Sequence, residues 1–219
     1  MLARLIAIDL VAGAALLAFW YFWFLRYSRR KSAQVAQWIG AAFREHGRVA
    51  GLTWKRASCF QVQLQLTSSL FRHSCIVVQL FPRELPFNWL LCVMTKQQET
   101  LTFEADLDCP PSFNLEVHNH RWCGRTRRKL PAHHENWTLE HTGPYVLTTR
   151  NEWQREIMNM MNGLMASREC DCLMVCFRRT SPHFSVTVPL KSLAPQNQGD
   201  LDIFNVLREL AAGASASRF

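Results

Sequence analysis

From Leu5 to Leu25 the chain reads LIAIDLVAGAALLAFWYFWFL, and the reading of this stretch decides how the rest is organised. Its 21 residues carry a single charge, Asp9. About 20 apolar residues in helix cross a hydrocarbon core about 30 Å thick, so the stretch predicts a membrane-spanning helix. Its C-terminal end bears Trp20, Tyr21, Trp23 and Tyr27, an aromatic belt of the kind that sits at headgroup level, and the cations Arg26, Arg29, Arg30 and Lys31 follow. These eight residues are the expected membrane-interface set. A cleaved signal peptide would have a shorter apolar run and small residues after it, whereas here bulky aromatics and arginine follow. Arg4 and the amino terminus on one side face four cations on the other, which predicts a single-pass protein of the cell membrane with its C-terminal part in the cytoplasm. Asp9 lies about one turn from the helix end, within reach of water and of Arg4.

The expected organisation is an anchor over 1–25, a juxtamembrane basic segment and amphipathic helix over 26–47, an α+β domain over 48–214, and a frayed tail over 215–219. Past the anchor, Ser32 is expected to cap a helix with Val35, Trp38, Ile39, Ala42 and Phe43 on one face and Gly47 as its stop. The rest is domain-sized. Eleven per cent aromatic residues argue against disorder, and the formal charge of +8 falls outside the anchor, where Arg4 and Asp9 cancel. Such a surface favours anionic partners in general. Of the eight cysteines, Cys75 and Cys92 sit in apolar runs, which reads as reduced core thiols rather than disulfides.

Period-two alternation places strands at Cys59–Leu66 (CFQVQLQL), Ser74–Phe81 and Thr100–Leu107 (TLTFEADL), and the apolar NWLLCVMT, Asn88–Thr95, reads as a further strand of the same antiparallel meander. Phe113, Leu115 and Val117 mark another. A basic loop intervenes before Thr149–Glu152, a capping box opening a helix with Trp153, Ile157, Met160, Met161 and Leu164 on one face. Cys172–Phe177 and His183–Val188 form a hairpin around Ser181 and Pro182, and Asp200 caps a last helix carrying Leu201, Phe204, Leu207, Leu210 and Ala211. The fold class is therefore α+β: one N-terminal transmembrane helix, then a mostly antiparallel sheet of about six to eight strands packed by two or three helices.

The densest polar region is HNHRWCGRTRRKLPAHH, His118–His134. Five cations within nine residues, Arg121, Arg125, Arg127, Arg128 and Lys129, with Trp122 among them, make the expected anion- or lipid-binding set; anionic lipid is the nearest such partner, a protein partner is open, and nucleic acid is the least favoured. In the alternative reading, Glu116, His118 and His120 share a strand face and, with His133 and His134, hold a divalent metal for a hydrolase, against the repulsion of the same cations. Cys170, Cys172 and Cys176 lack a second cysteine pair and read as strand residues, Cys170 being the one to test for reactivity. The chain carries no nucleophile elbow, P-loop or dinucleotide fingerprint. No cofactor and no catalytic residue are expected.

From Pro111 onward the order SFNLEVHNHRW, GPYVLTTRNEWQREIMNMMNGLM, CLMVCFRRTSPHFSVTV and a terminal helix resembles a widespread type of uncharacterised bacterial membrane protein. The resemblance covers roughly the last half of the chain. It implies a short membrane region before an α+β domain and carries no catalytic residue across. The resulting expectation is a membrane-anchored, non-catalytic binding or scaffolding domain.

Overall fold

In a computed structural model the anchor and the amphipathic stripe after it form one unbroken element, helix α1, Leu2–Ala42. The structure describes residues 2–111, 113–119, 137–142, 145–150, 173–193 and 203–216. No proline and no glycine falls between Gly13 and Gly40, so nothing interrupts the hydrogen-bond ladder where the chain leaves the apolar stretch. Ser32 accordingly caps nothing. It is buried inside the helix, and its Oγ–H donates to the Ser28 carbonyl at 2.8 Å, the i−4 back-bond of a mid-helix serine. Gly47 does not stop the helix either, since α1 ends at Ala42 and Gly47 opens the first strand.

Among the described residues nine strands follow, paired antiparallel: β1 Gly47–Arg56, β2 Cys59–Leu66, β3 Phe71–Gln79, β4 Thr100–Leu107, β5 Leu115–Asn119, β6 Trp137–Thr142, β7 Tyr145–Arg150, β8 Met174–Phe177 and β9 Phe184–Pro189. They make one sheet in the order β1-β2-β3-β4-β9-β8-β5-β7-β6. The α+β class and the N-terminal apolar helix stand as expected, with β1, β6 and β7 added to the strands read from the sequence. Thr149, read as a helix cap, is a ladder residue of β7 opposite Leu115 and Thr138. The helix expected beyond it lies outside the described residues, as do Asp200 and Leu201.

The segment read as a strand over Asn88–Thr95 is helix α2, Pro86–Met94, inserted between β3 and β4. A short unbroken apolar run has no periodicity to separate helix from strand, and Pro86 at the first helical turn, where its missing N–H costs nothing, settles the choice. Helix α3, Ile203–Ala216, is the last described element.

One face of the sheet carries the core. The alternation of β4 buries Leu101, Phe103, Ala105 and Leu107, and that of β2 buries Phe60, Val62 and Leu64. Ile39 of α1, Phe43 just after it, and Phe204, Leu207, Leu210 and Ala211 of α3 close over this face. Phe43 stacks on Phe103 and meets Phe204 edge-on, while Phe71 touches Phe103, Phe184 and Phe204. The C-terminal end of the N-terminal helix is thus part of the domain core.

Candidate membrane-interface site

Residues 4–12 and 14–19 of α1 are exposed, and the helix is the one among the described residues that is long and apolar enough to cross a membrane, with a mean hydropathy of 2.0 in its most apolar stretch and none of that stretch buried. From Trp20 onward one stripe of the helix turns inward: Trp20, Phe24, Ser28, Ser32, Ile39 and Phe43 recur at helical spacing on the side facing the domain. The domain therefore grips α1 near its middle, and two features flank the helix at that level.

On one side stands α2. The Trp20 indole N–H donates to the Arg83 carbonyl at 3.0 Å, and its ring lies 6.1 Å from that of Trp89. The Arg83 guanidinium covers the Tyr27 ring at 5.0 Å and lies 3.4 Å from Glu99, which also pairs with Lys31. The Glu99 side chain is only 9% exposed, so two cations and the Phe81 N–H serve one largely desolvated carboxylate. Trp20, Tyr27 and Lys31, in the expected interface set, thus also contact the domain. Tyr21, Trp23, Arg26, Tyr27, Arg29 and Arg30 are exposed.

On the other side is the β1–β2 hairpin. Between it and α1 opens a cleft of about 560 Å3 lined by Tyr21, Leu25, Arg29, Trp54, Lys55, Arg56 and Ala57. Its lining combines the apolar Tyr21, Leu25 and Trp54 with three cations from two elements. Lys55, Arg56 and Trp54 were missed in the sequence, although TrpLysArg repeats the aromatic-then-cation signature that marks the end of the anchor.

The other sequence-derived candidates divide. Arg121, Trp122, Arg125, Arg127, Arg128 and Lys129 lie outside the described residues, as do His120, His133 and His134. Glu116 and His118 do share a face of β5, His118 being buried, with Nε2 3.7 Å from the carboxylate. The carboxylate is already paired with Arg178 at 2.9 Å. The His118 ring and then the Arg178 guanidinium hold the Glu116 carboxyl below the usual range, against a desolvation that pushes it up. Next to it Cys176 is buried, which pushes its thiol up to about 12 and leaves it protonated at neutral pH. Among the described residues no group of three ligand-type side chains converges. Five described cysteines, Cys59, Cys75, Cys92, Cys109 and Cys176, are free thiols; Cys170 and Cys172 lie outside the described residues.

No protein-family model and no curated protein matches the chain. Among solved structures it is similar to a crystal structure of the mycobacterial trehalose monomycolate transport factor A, TtfA, at 9% identity over 70% of each chain with a TM-score of 0.38.

Proposed function

We propose that the chain is a single-pass membrane protein whose α+β domain is a non-catalytic binding module seated on the membrane surface, and that it takes an anionic phospholipid headgroup in the cleft between α1 and the β1–β2 hairpin. The observation that carries this reading is one cleft lined by Arg29, Lys55 and Arg56 together with the apolar Tyr21, Leu25 and Trp54, at the level where the apolar stretch of α1 ends. An anionic headgroup meets the cations while its acyl chain stays on the apolar side. Retention of α1 as an anchor is supported by its continuity: cleavage near residue 20 would cut an unbroken helix at the side chain that docks the domain. Arg26, Arg29, Arg30 and Lys31 against Arg4 support a cytoplasmic domain. A membrane-impermeant maleimide added to intact cells should then leave Cys59 and Cys109 unlabelled until lysis, and labelling before lysis would reverse the orientation.

Native mass spectrometry of the full chain released from detergent tests the cleft. Phosphatidylglycerol should be retained in preference to phosphatidylcholine. Each well-placed cation contributes about 1 kcal/mol toward an anionic surface. Arg29→Gln, Lys55→Gln and Arg56→Gln together should therefore lower that preference by up to about a hundredfold. An unchanged preference in the triple variant sinks the reading.

A further inference from the structure

Helix α2 carries one polar side chain, Asn88, in nine residues. Trp89 and Cys92, three apart and on one face, turn inward, with Cys92 buried and Trp89 against Trp20. The remaining surface is apolar and open: Leu85, just before the helix, and Phe87, Leu90, Leu91, Val93 and Met94 are all exposed, Phe87 at 71% and Met94 at 72%. Phe22, in the anchor itself, is exposed to 67%. A contiguous patch of this kind on a short helix marks a surface that meets something other than water.

The level of α2 along α1 says what that is. Residues 5–19 are the part of the apolar stretch that the domain leaves clear, and at 1.5 Å per residue these fifteen residues rise about 22 Å. The hydrocarbon core is about 30 Å thick. About five more residues, Trp20 to Phe24, are needed to complete the crossing, and Trp20 is where α2 is bound, through the Trp20–Trp89 contact and the Trp20–Arg83 hydrogen bond. The packing of Ile39 and Phe43 into the sheet's core holds α1 to the same domain farther along. The pairs that fasten it from above, Lys31 and Arg83 with Glu99, lie on the side of the cations that follow the span.

We infer that α2 is a second membrane element, an interfacial helix that buries Phe87, Leu90, Leu91, Val93 and Met94 among the acyl chains of the same leaflet in which α1 ends. Its occupant is the lipid bilayer itself, by continuity with the exposed apolar surface of α1. The inference rests on the reading of α1 as a span but not on the anionic cleft, since apolar burial needs no headgroup charge. The anchor and α2 together set the domain's tilt against the membrane plane, which a single helix leaves free, and so set which surface faces away from the bilayer.

The test uses the full chain reconstituted into neutral phosphatidylcholine vesicles, with p-benzoylphenylalanine placed singly at positions 22, 87, 94 and 72. Position 72, where Arg72 is exposed beside Asp108, reports the background of the domain surface. On irradiation, lipid adducts at 87 and 94 should match those at 22 and exceed those at 72 several-fold. Lipid adducts at 22 with background yield at 87 and 94, or adducts there to a second protein chain, overturn the inference while leaving the span intact. Background yield at 22 as well overturns both.

Discussion

Glu116 shows how little of a side chain's fate is local. Alternation put Glu116 and His118 on one face of a strand, and they are there, but Arg178, the residue that takes the carboxylate, is 62 positions away on the far side of β8. No spacing in the sequence announces it. Because the folded carboxyl sits below its ordinary value, the stability this contributes is present above the ordinary carboxyl range and is lost as pH falls through the lowered value. Glu116→Gln should therefore cost stability at neutral pH and little at the acid end, so that Tm against pH becomes flatter on its acid limb; a parallel shift at every pH would assign the loss to packing. Gly47 is a second case. A Cβ there would stand 2.3 Å from the Gln65 carbonyl oxygen and 2.9 Å from Leu66 Cα, where β1 and β2 begin to pair. Gly47→Ala should destabilise by about 1–3 kcal/mol, read as a lower denaturant midpoint with unchanged slope.

At the scale of elements, legibility followed burial. β2 and β4 were read to their exact ends because every second residue is buried and the alternation is clean. β1 left no such trace: it is an edge strand, exposed along nearly all its length on both faces, with Arg48, Lys55 and Arg56 guarding the edge, so no period of two is written into it. α2 was misread for the opposite reason, since a nine-residue run with one polar side chain shows no alternation to separate helix from strand. The join between α1 and α2 was invisible because Glu99, which pairs with Lys31 and Arg83, lies in neither helix and far along the chain from α1. Glu99→Gln should leave Lys31 and Arg83 facing each other without their shared carboxylate, at a cost on the order of 1–3 kcal/mol. Hydrogen exchange should then rise in 83–95, with 100–107 unchanged; unaltered exchange in α2 would mean that the Trp20–Trp89 contact holds the joint alone.

For the molecule as a whole, the sequence foretold an anchor and a domain but divided them at a juxtamembrane basic segment. That division came from treating Arg26–Lys31 as a boundary, when four cations, a tyrosine and a serine are all compatible with helix. The unbroken α1 carries the apolar stretch straight into the helix that packs on the domain, with a cationic cleft on one side and an apolar helix on the other, and under the proposed reading it holds the domain against the headgroups. Neutron reflectometry of the full chain in a supported bilayer reads the domain's height directly. Protein density should run on from the headgroup layer into the domain with no solvent layer between them, and a resolved water gap would contradict the account.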